Sequence, residues 1–425
     1  MKQKFYRNTG AFIALTLAVL GAGLPARAQV EPGSVLDLRQ ALELALAHSP
    51  ELTASSHGVL AAEGTARQAG ALPNPRLELQ ASEFGGSGIR SGYSGAETSV
   101  QLSQSIELGG KRGKRQRVAQ AEARLTGWDY EAKRLDVLAQ TKKSFVDVLL
   151  AQGRLALTES LLTVAEDVRT AAAQRVRSGK VAPLEETKAG VELAAARIAL
   201  DRAKRELDTA RKRLAASWGG TVPVFTEAAG DLSAVSDIPS MEKLFALLGN
   251  TPEIAREREV LTSGRESLAL AKAERIPDIE ISAGVSRFEE DGSTAGIVGL
   301  SIPLPLFDRN AGGIFAAKHQ ALRAEYEQRA ISLGVKTDLA EACNRLETAR
   351  AEALTIKSEL LPGAQRAFDT AQIGYRAGKY GYLEVLDTQR TLSEAKSGYL
   401  DVLAAYHKAA ADVERLTGTP LNTIQ

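Results

Sequence analysis

The sequence has 425 residues, 25% of them charged, and a formal net charge of +1. That length exceeds one ordinary hydrophobic core, and so even a charge balance argues against nucleic acid or another polyanion as partner. The single cysteine, Cys343, excludes an internal disulfide framework and reads as a small packed residue.

Residues 1–28 read as a secretory signal peptide. Lys2, Lys4 and Arg7 precede an apolar run from Ala11 to Leu24, and Ala26-Arg27-Ala28 makes a small-residue cleavage site before Gln29. The run is too short to span a bilayer. Its removal takes four of the 53 basic residues and none of the 52 acidic ones, which turns the balance from +1 to −3. No cysteine stands at the cleavage site, so no N-terminal lipid anchor is expected. No later run of 18 apolar residues occurs, so any membrane crossing is expected to use β-strands.

The remainder contains itself twice. His48-Ser49-Pro50-Glu51 is echoed by Asn250-Thr251-Pro252-Glu253, and Pro75-Arg76-Leu77-Glu78-Leu79 by Pro277-Asp278-Ile279-Glu280-Ile281, both at a shift of 202. Ser178-Gly179-Lys180 is echoed by Ala377-Gly378-Lys379, and Trp218-Gly219 by Thr417-Gly418, at a shift of 199. A fixed order at a nearly fixed shift implies duplication: a first repeat over 29–219, a linker over 220–240 and a second repeat over 241–425. Each repeat reads as a short helix, a medium helix, two strands, a very long helix, a tight tip and a returning helix.

The strands are read from alternation. Leu77, Leu79 and Ala81 alternate with Glu78, Gln80 and Ser82. Val100, Leu102, Gln104, Ile106 and Leu108 alternate with Gln101, Ser103, Ser105 and Glu107. In the second repeat Ile279, Ile281, Ala283 and Val285 face one way, and Val298, Leu300, Ile302, Leu304 and Leu306 continue the pattern. The strand pairs are placed at about 76–108 and 278–306, with polar loops at 85–88 and 289–293. Alternation alone fits membrane strands and soluble hairpins equally. The long flanking helices of an exported chain favour the membrane.

Those helices are extreme. Residues 111–177 contain no proline and as one helix would run roughly 100 Å. Val118, Ala121, Leu125, Trp128, Ala132, Leu135 and Ala139 form one stripe at 3-4 spacing, and Leu138, Phe145, Val148, Leu155 and Leu162 a second. Two stripes imply two helical neighbours, as in a closed ring of helices. Leu339, Ala342, Leu346, Ala349, Ala353, Ile356 and Leu360 keep the same spacing in the second repeat, where Pro362 is expected to bend the helix. Gly179 and Gly378 suit the left-handed turn beyond each long helix. The return helices carry Leu184, Val191, Ile198, Leu207 and Leu214, then Leu383, Leu386, Leu392, Tyr399, Val402 and Val413.

Chemistry-bearing motifs are absent. His48, His57, His319 and His407 are far apart, and Met1 and Met241 are the only methionines, so neither a metal site nor a cofactor is expected. Ser/His/Asp combinations occur by composition alone, and the chain is not expected to be an enzyme.

This order of elements resembles the TolC family of outer-membrane channels across nearly the whole mature chain. The most specific stretches are Glu107-Leu108-Gly109-Gly110-Lys111-Arg112 and Pro303-Leu304-Pro305-Leu306-Phe307-Asp308-Arg309-Asn310. They are most similar to the branch serving heavy-metal pumps of the resistance-nodulation-division type. The resemblance implies a fold that is mainly α with transmembrane β. It implies a homotrimer in outer-membrane lipid, with a shared β-barrel and a helical tunnel crossing the periplasm. Four strands per chain cannot close a membrane barrel alone, which agrees. It implies a belt formed by residues 218–241 and the C-terminus. It also implies two partners, a periplasmic adaptor protein and an inner-membrane pump.

The tip stretch Tyr375-Arg376-Ala377-Gly378-Lys379-Tyr380-Gly381-Tyr382-Leu383-Glu384-Val385-Leu386-Asp387 resembles the family's tip motif. By that match Glu384 and Asp387 form the pore constriction. Their i, i+3 spacing puts both on one helix face, and a carboxylate ring attracts cations. Tyr375 and Glu185 match a mouth-closing link. A second link uses an arginine where this chain has Tyr380, a departure that removes its donor. Gly179, Lys180, Gly378 and Lys379 match the adaptor-docking tips. The blander readings are solvated acids on a helix surface and a packing aromatic at a helix end.

Export of heavy-metal cations is thus the expected function. Drug efflux and type I protein secretion are the alternatives within transport. A periplasmic coiled-coil adaptor or scaffold is the alternative of another class, and it leaves the duplicated strand pairs unexplained.

Overall fold

A computed structural model describes residues 34–424; the signal peptide of 1–28 lies outside the described residues. β1 (Ser34–Asp37) leads into α1 (Leu38–His48). A capping box starts that helix: Asp37 Oδ1 accepts from the Gln40 amide at 2.7 Å, and Gln40 Oε1 accepts from the Asp37 amide at 3.1 Å. α2 (Pro50–Ala69) begins with Ser49 as N-cap and Pro50 in its first turn. In the second half α6 (Pro252–Glu274), after the short α5 (Met241–Leu247), also has proline in its first turn, but the Thr251 hydroxyl before it donates back to the Leu248 carbonyl at 2.9 Å instead of capping the helix.

Four strands form one antiparallel sheet. β2 (Arg76–Ser82) and β3 (Glu97–Ile106) come from the first half, β5 (Ile279–Phe288) and β6 (Thr294–Ser301) from the second, in the order β2-β3-β5-β6. β3 and β5 join the halves, with Val100 opposite Val285 and Leu102 opposite Ala283. The expected strand to Leu306 is too long. β6 ends at Ser301, because Pro303 and Pro305 have no N–H to give a ladder, and Leu304, Leu306 and Phe307 are exposed outside it.

All four strand–helix corners lie at one end of this sheet. α3 (Lys111–Arg177) is a single helix of 67 residues. It follows Gly109 and Gly110, at φ +67° and +69°. At Gly109 a β-carbon would also come within 2.9 Å of Ile276, so no other residue fits without displacement. In the second half Asn310, at φ +53°, turns the corner into α7 (Ala311–Thr355). Its side-chain amide donates to the Ala271 carbonyl at 2.8 Å.

α4 (Pro183–Ala216) returns from the first tip. In the second half the long helix does not break at Pro362. A single π turn at Ile356–Leu360 absorbs the missing donor, and α8 (Leu361–Arg376) continues to the tip, from which α9 (Tyr382–Thr417) returns. One unforeseen element is β4 (Phe225–Ala229), between α4 and α5, which pairs in parallel with β1.

The packing is serial. One cluster joins α1, α3, α4 and β4 around Phe145, Val148 and Leu214. Another joins α5, α7 and α9 around Leu244, Leu339, Leu346 and Val413. A third lies at the tips. α3 contacts α1, α2, α4, α6 and α9, three neighbours more than its stripes implied. The interface with α9 carries a ladder of ion pairs that the stripes did not show: Asp136–Arg415, Lys142–Glu414, Lys143–Asp412, Asp147–Lys408 and Arg154–Asp401. Most are half-buried, so each contributes little alone, but together they fix the register of antiparallel helices from opposite repeats. One 18-residue window of α3 is apolar enough to cross a membrane, contrary to expectation. The helix containing it is roughly three bilayer cores long and packs on five others.

Candidate functional site

Both tips are built by the same backbone device. At the end of α3 the Lys180 amide donates to the Arg175 carbonyl and the Gly179 amide to the Val176 carbonyl, each at 3.0 Å. At the end of α8 the Lys379 amide donates to the Gly374 carbonyl at 2.8 Å and the Gly378 amide to the Tyr375 carbonyl at 3.0 Å. Gly179 and Gly378 hold φ of +67° and +76°, the left-handed conformation that such a helix end requires.

Four helices converge there. Tyr375, on the last turn of α8, is buried at 3% exposure. Its Oη donates to Glu185 Oε2, on the first turn of α4, at 3.4 Å. Tyr382, at the start of α9, presents an edge to the same ring at 6.5 Å. Burial pushes the Tyr382 hydroxyl up to about 12, with Glu192 adding to it. Burial also raises the Tyr375 hydroxyl, against a downward pull from Arg175. Arg175 is the residue that the sequence did not single out. Its guanidinium carbon lies 4.3 Å from the Tyr375 ring centroid.

Tyr380, where the family motif has arginine, does something else. Its ring lies on the backbone of Gly374, where any β-carbon would overlap it. Glu384 and Asp387 occupy the exposed face of the first two turns of α9, opposite Tyr382 and Val385, which are buried. Among the described residues neither carboxylate has an ion-pair partner within this chain.

At the far end the sheet has two distinct faces. Leu77, Leu79, Val100, Leu102, Ile281, Val285, Val298 and Leu300 cover one face, and all are exposed, Leu79 at 70% and Val298 at 85%. The other carries Glu78, Gln80, Gln101, Ser103 and Ser282, with Gln101 Nε2 donating to Ser282 Oγ at 3.0 Å. An apolar face of this extent has no place in water.

Comparison with known proteins decides the family. The family described as outer membrane efflux protein matches residues 41–220 and 245–419. The chain belongs to the outer membrane efflux protein family. It is 37% identical over 388 residues to the cobalt-zinc-cadmium resistance protein CzcC of Cupriavidus metallidurans, covering 91% of each chain. It is 28% identical to the nickel-cobalt-cadmium resistance protein NccC of Alcaligenes xylosoxydans xylosoxydans, covering 74% of this chain and 70% of that one. Its fold matches the crystal structure of the Campylobacter jejuni CmeC outer membrane channel with a TM-score of 0.76. That match covers 90% of this chain and 85% of the other at 17% identity. The protein is therefore an outer-membrane efflux component rather than an enzyme, and it reaches from the outer membrane into the periplasm.

Proposed function

We propose that this efflux protein works as a homotrimeric conduit for heavy-metal cations, joined to a periplasmic adaptor and an inner-membrane resistance-nodulation-division pump. The observation that carries the cargo is the end-to-end similarity to a cobalt-zinc-cadmium resistance protein. The test is metal tolerance. A host lacking its own outer-membrane component, supplied with this chain and its pump partners, should regain growth on zinc, cobalt or cadmium. Regained tolerance of organic drugs alone would overturn the cargo assignment.

Assembly is supported by surfaces that one chain leaves uncovered. β2 and β6 are open sheet edges in the single protomer. On α4, Leu184, Val191 and Ile198 repeat every seven residues yet are 59%, 64% and 67% exposed, while Leu207 and Leu214 further along are buried. The first three face away from their own protomer, so another chain must cover them. Exposed Phe84 and Tyr93 at one end of the apolar band, and Phe307 at the other, suit the two membrane interfaces. The protein is expected to run as a trimer in mild detergent, and a stable monomer with a closed pore would exclude this assembly.

In the trimer Glu384 and Asp387 line the constriction, and Tyr375 with Glu185 closes the mouth. The turns at Gly179-Lys180 and Gly378-Lys379 offer the adaptor its docking surface. The duplication, with a linker over 220–240, supplies one hairpin of each kind per chain.

A further inference from the structure

Outside the residues already given a role, the tip holds one cation in an unusual position. Arg175 belongs to α3, the first hairpin, and the ring beneath its guanidinium belongs to α8, the second. The acceptor of the Tyr375 hydroxyl, Glu185, belongs to the first hairpin again. Tyr375 is therefore held between two groups of the opposite hairpin, one against its face and one at its oxygen. Arg175 Nη1 is also buried with no hydrogen-bond partner among the described residues. A guanidinium nitrogen in that condition is costly to leave unpaired, and its retention needs a reason.

We propose that Arg175 is the positioning residue of the mouth link: it clamps the Tyr375 ring so that the hydroxyl reaches Glu185. The inference rests on the reading of Tyr375 and Glu185 as the mouth-closing pair. A planar guanidinium stacked on an aromatic face fixes the ring's tilt as well as its distance. The same residue ties the link to the tip turn, because the Arg175 carbonyl accepts from Lys180. Displacement of that turn moves the arginine, and with it the ring.

The test is a mutant cycle read as mean conductance of the purified trimer in planar bilayers. Tyr375→Phe removes the hydroxyl and is expected to raise conductance. Arg175→Gln is expected to raise it by about threefold, the change in a two-state equilibrium that a cation–π contact of this kind supports. Adding Arg175→Gln to Tyr375→Phe should change it by less than about 1.5-fold, because the arginine acts through the hydroxyl it positions. Arg175→Lys, which keeps the charge without the planar stack, should fall between wild type and Arg175→Gln. Arg177→Gln, at an exposed neighbouring position, should leave conductance unchanged. If Tyr375→Phe opens the channel and both Arg175 variants behave like Arg177→Gln, the role of Arg175 is overturned and the mouth link stands. Additive effects in the cycle also overturn it, since a merely structural arginine would act independently of the hydroxyl. If Tyr375→Phe itself leaves conductance unchanged, the mouth link falls and Arg175 falls with it.

Discussion

Replacing both Glu384 and Asp387 by alanine is expected to abolish most of the channel's preference for cations and to weaken its block by multivalent cations at least about tenfold, or about 1.4 kcal/mol. The two carboxylates sit on the exposed face of α9 just beyond the tip, and among the described residues neither forms an ion pair within its own chain. Brought together in a trimer, like charges about 4 Å apart repel by roughly 4 kcal/mol at an effective dielectric near 20. A bound cation offsets that repulsion, and removing the acids removes the reason to bind one. Planar-bilayer recordings under a salt gradient give the selectivity, and titration with a multivalent cation gives the block. Trimer assembly should be unaffected, because the buried side of the same helix turns is formed by Tyr382 and Val385. Glu352, on α7 away from the tip, is the control whose replacement should alter neither property. Wild-type selectivity and block in the double variant would return both acids to the solvated helix surface.

What the sequence disclosed, and what it hid, follows the reach of each interaction. The starts of α2 and α6 were readable because a proline in the first turn acts locally, joined at α2 by the Ser49 cap. The length of α3 was readable because no proline interrupts it, and the sheet because alternation is a local property. β1 and β4 were hidden: a short parallel pair between residues some 190 positions apart, Ser34 and Phe225, leaves no local pattern. The α3–α9 ion ladder was hidden for the same reason, since charges on a long helix look alike until a partner selects among them. Pro362 was readable as a local disturbance of the helix, but not its form: a π turn accommodates the missing N–H without ending the helix. At the tips the family motif pointed to Tyr375 and Glu185, and the structure brings those two together. Arg175 escaped notice because its partner ring lies 200 positions away, on another helix, and the position 199 residues on from it is Gly374, so comparing the two halves shows no matching arginine. The exposed half of the α4 stripe, Leu184 to Ile198, was legible as apolar, yet only the fold shows that its own protomer does not cover it.

The placement of the sheet in the membrane makes the sharpest demand on neighbouring residues. Leu79→Arg is expected to prevent stable insertion, and Gln80→Arg to leave it intact. The two positions are adjacent on β2 and receive the same side chain, so β-propensity, volume and net charge are matched. They differ only in the face they occupy. Leu79 lies on the apolar face, paired with Val100, which in turn faces Val285. Gln80 lies on the polar face beside Glu78. An arginine facing lipid near the bilayer midplane costs about 2–4 kcal/mol in a membrane barrel, while one facing an aqueous lumen costs little. In a trimer each chain contributes the same defect, so the penalty recurs three times around one closed barrel. The outer-membrane fraction should therefore lose the Leu79→Arg protein, which should appear instead as degraded or aggregated chain. The Gln80→Arg protein should reach the membrane in wild-type amount and, with added positive charge in the lumen, conduct anions relatively better. Equal insertion of the two variants would mean that the exposed apolar face is covered by protein rather than lipid, and the strands would then belong to a soluble part of the molecule.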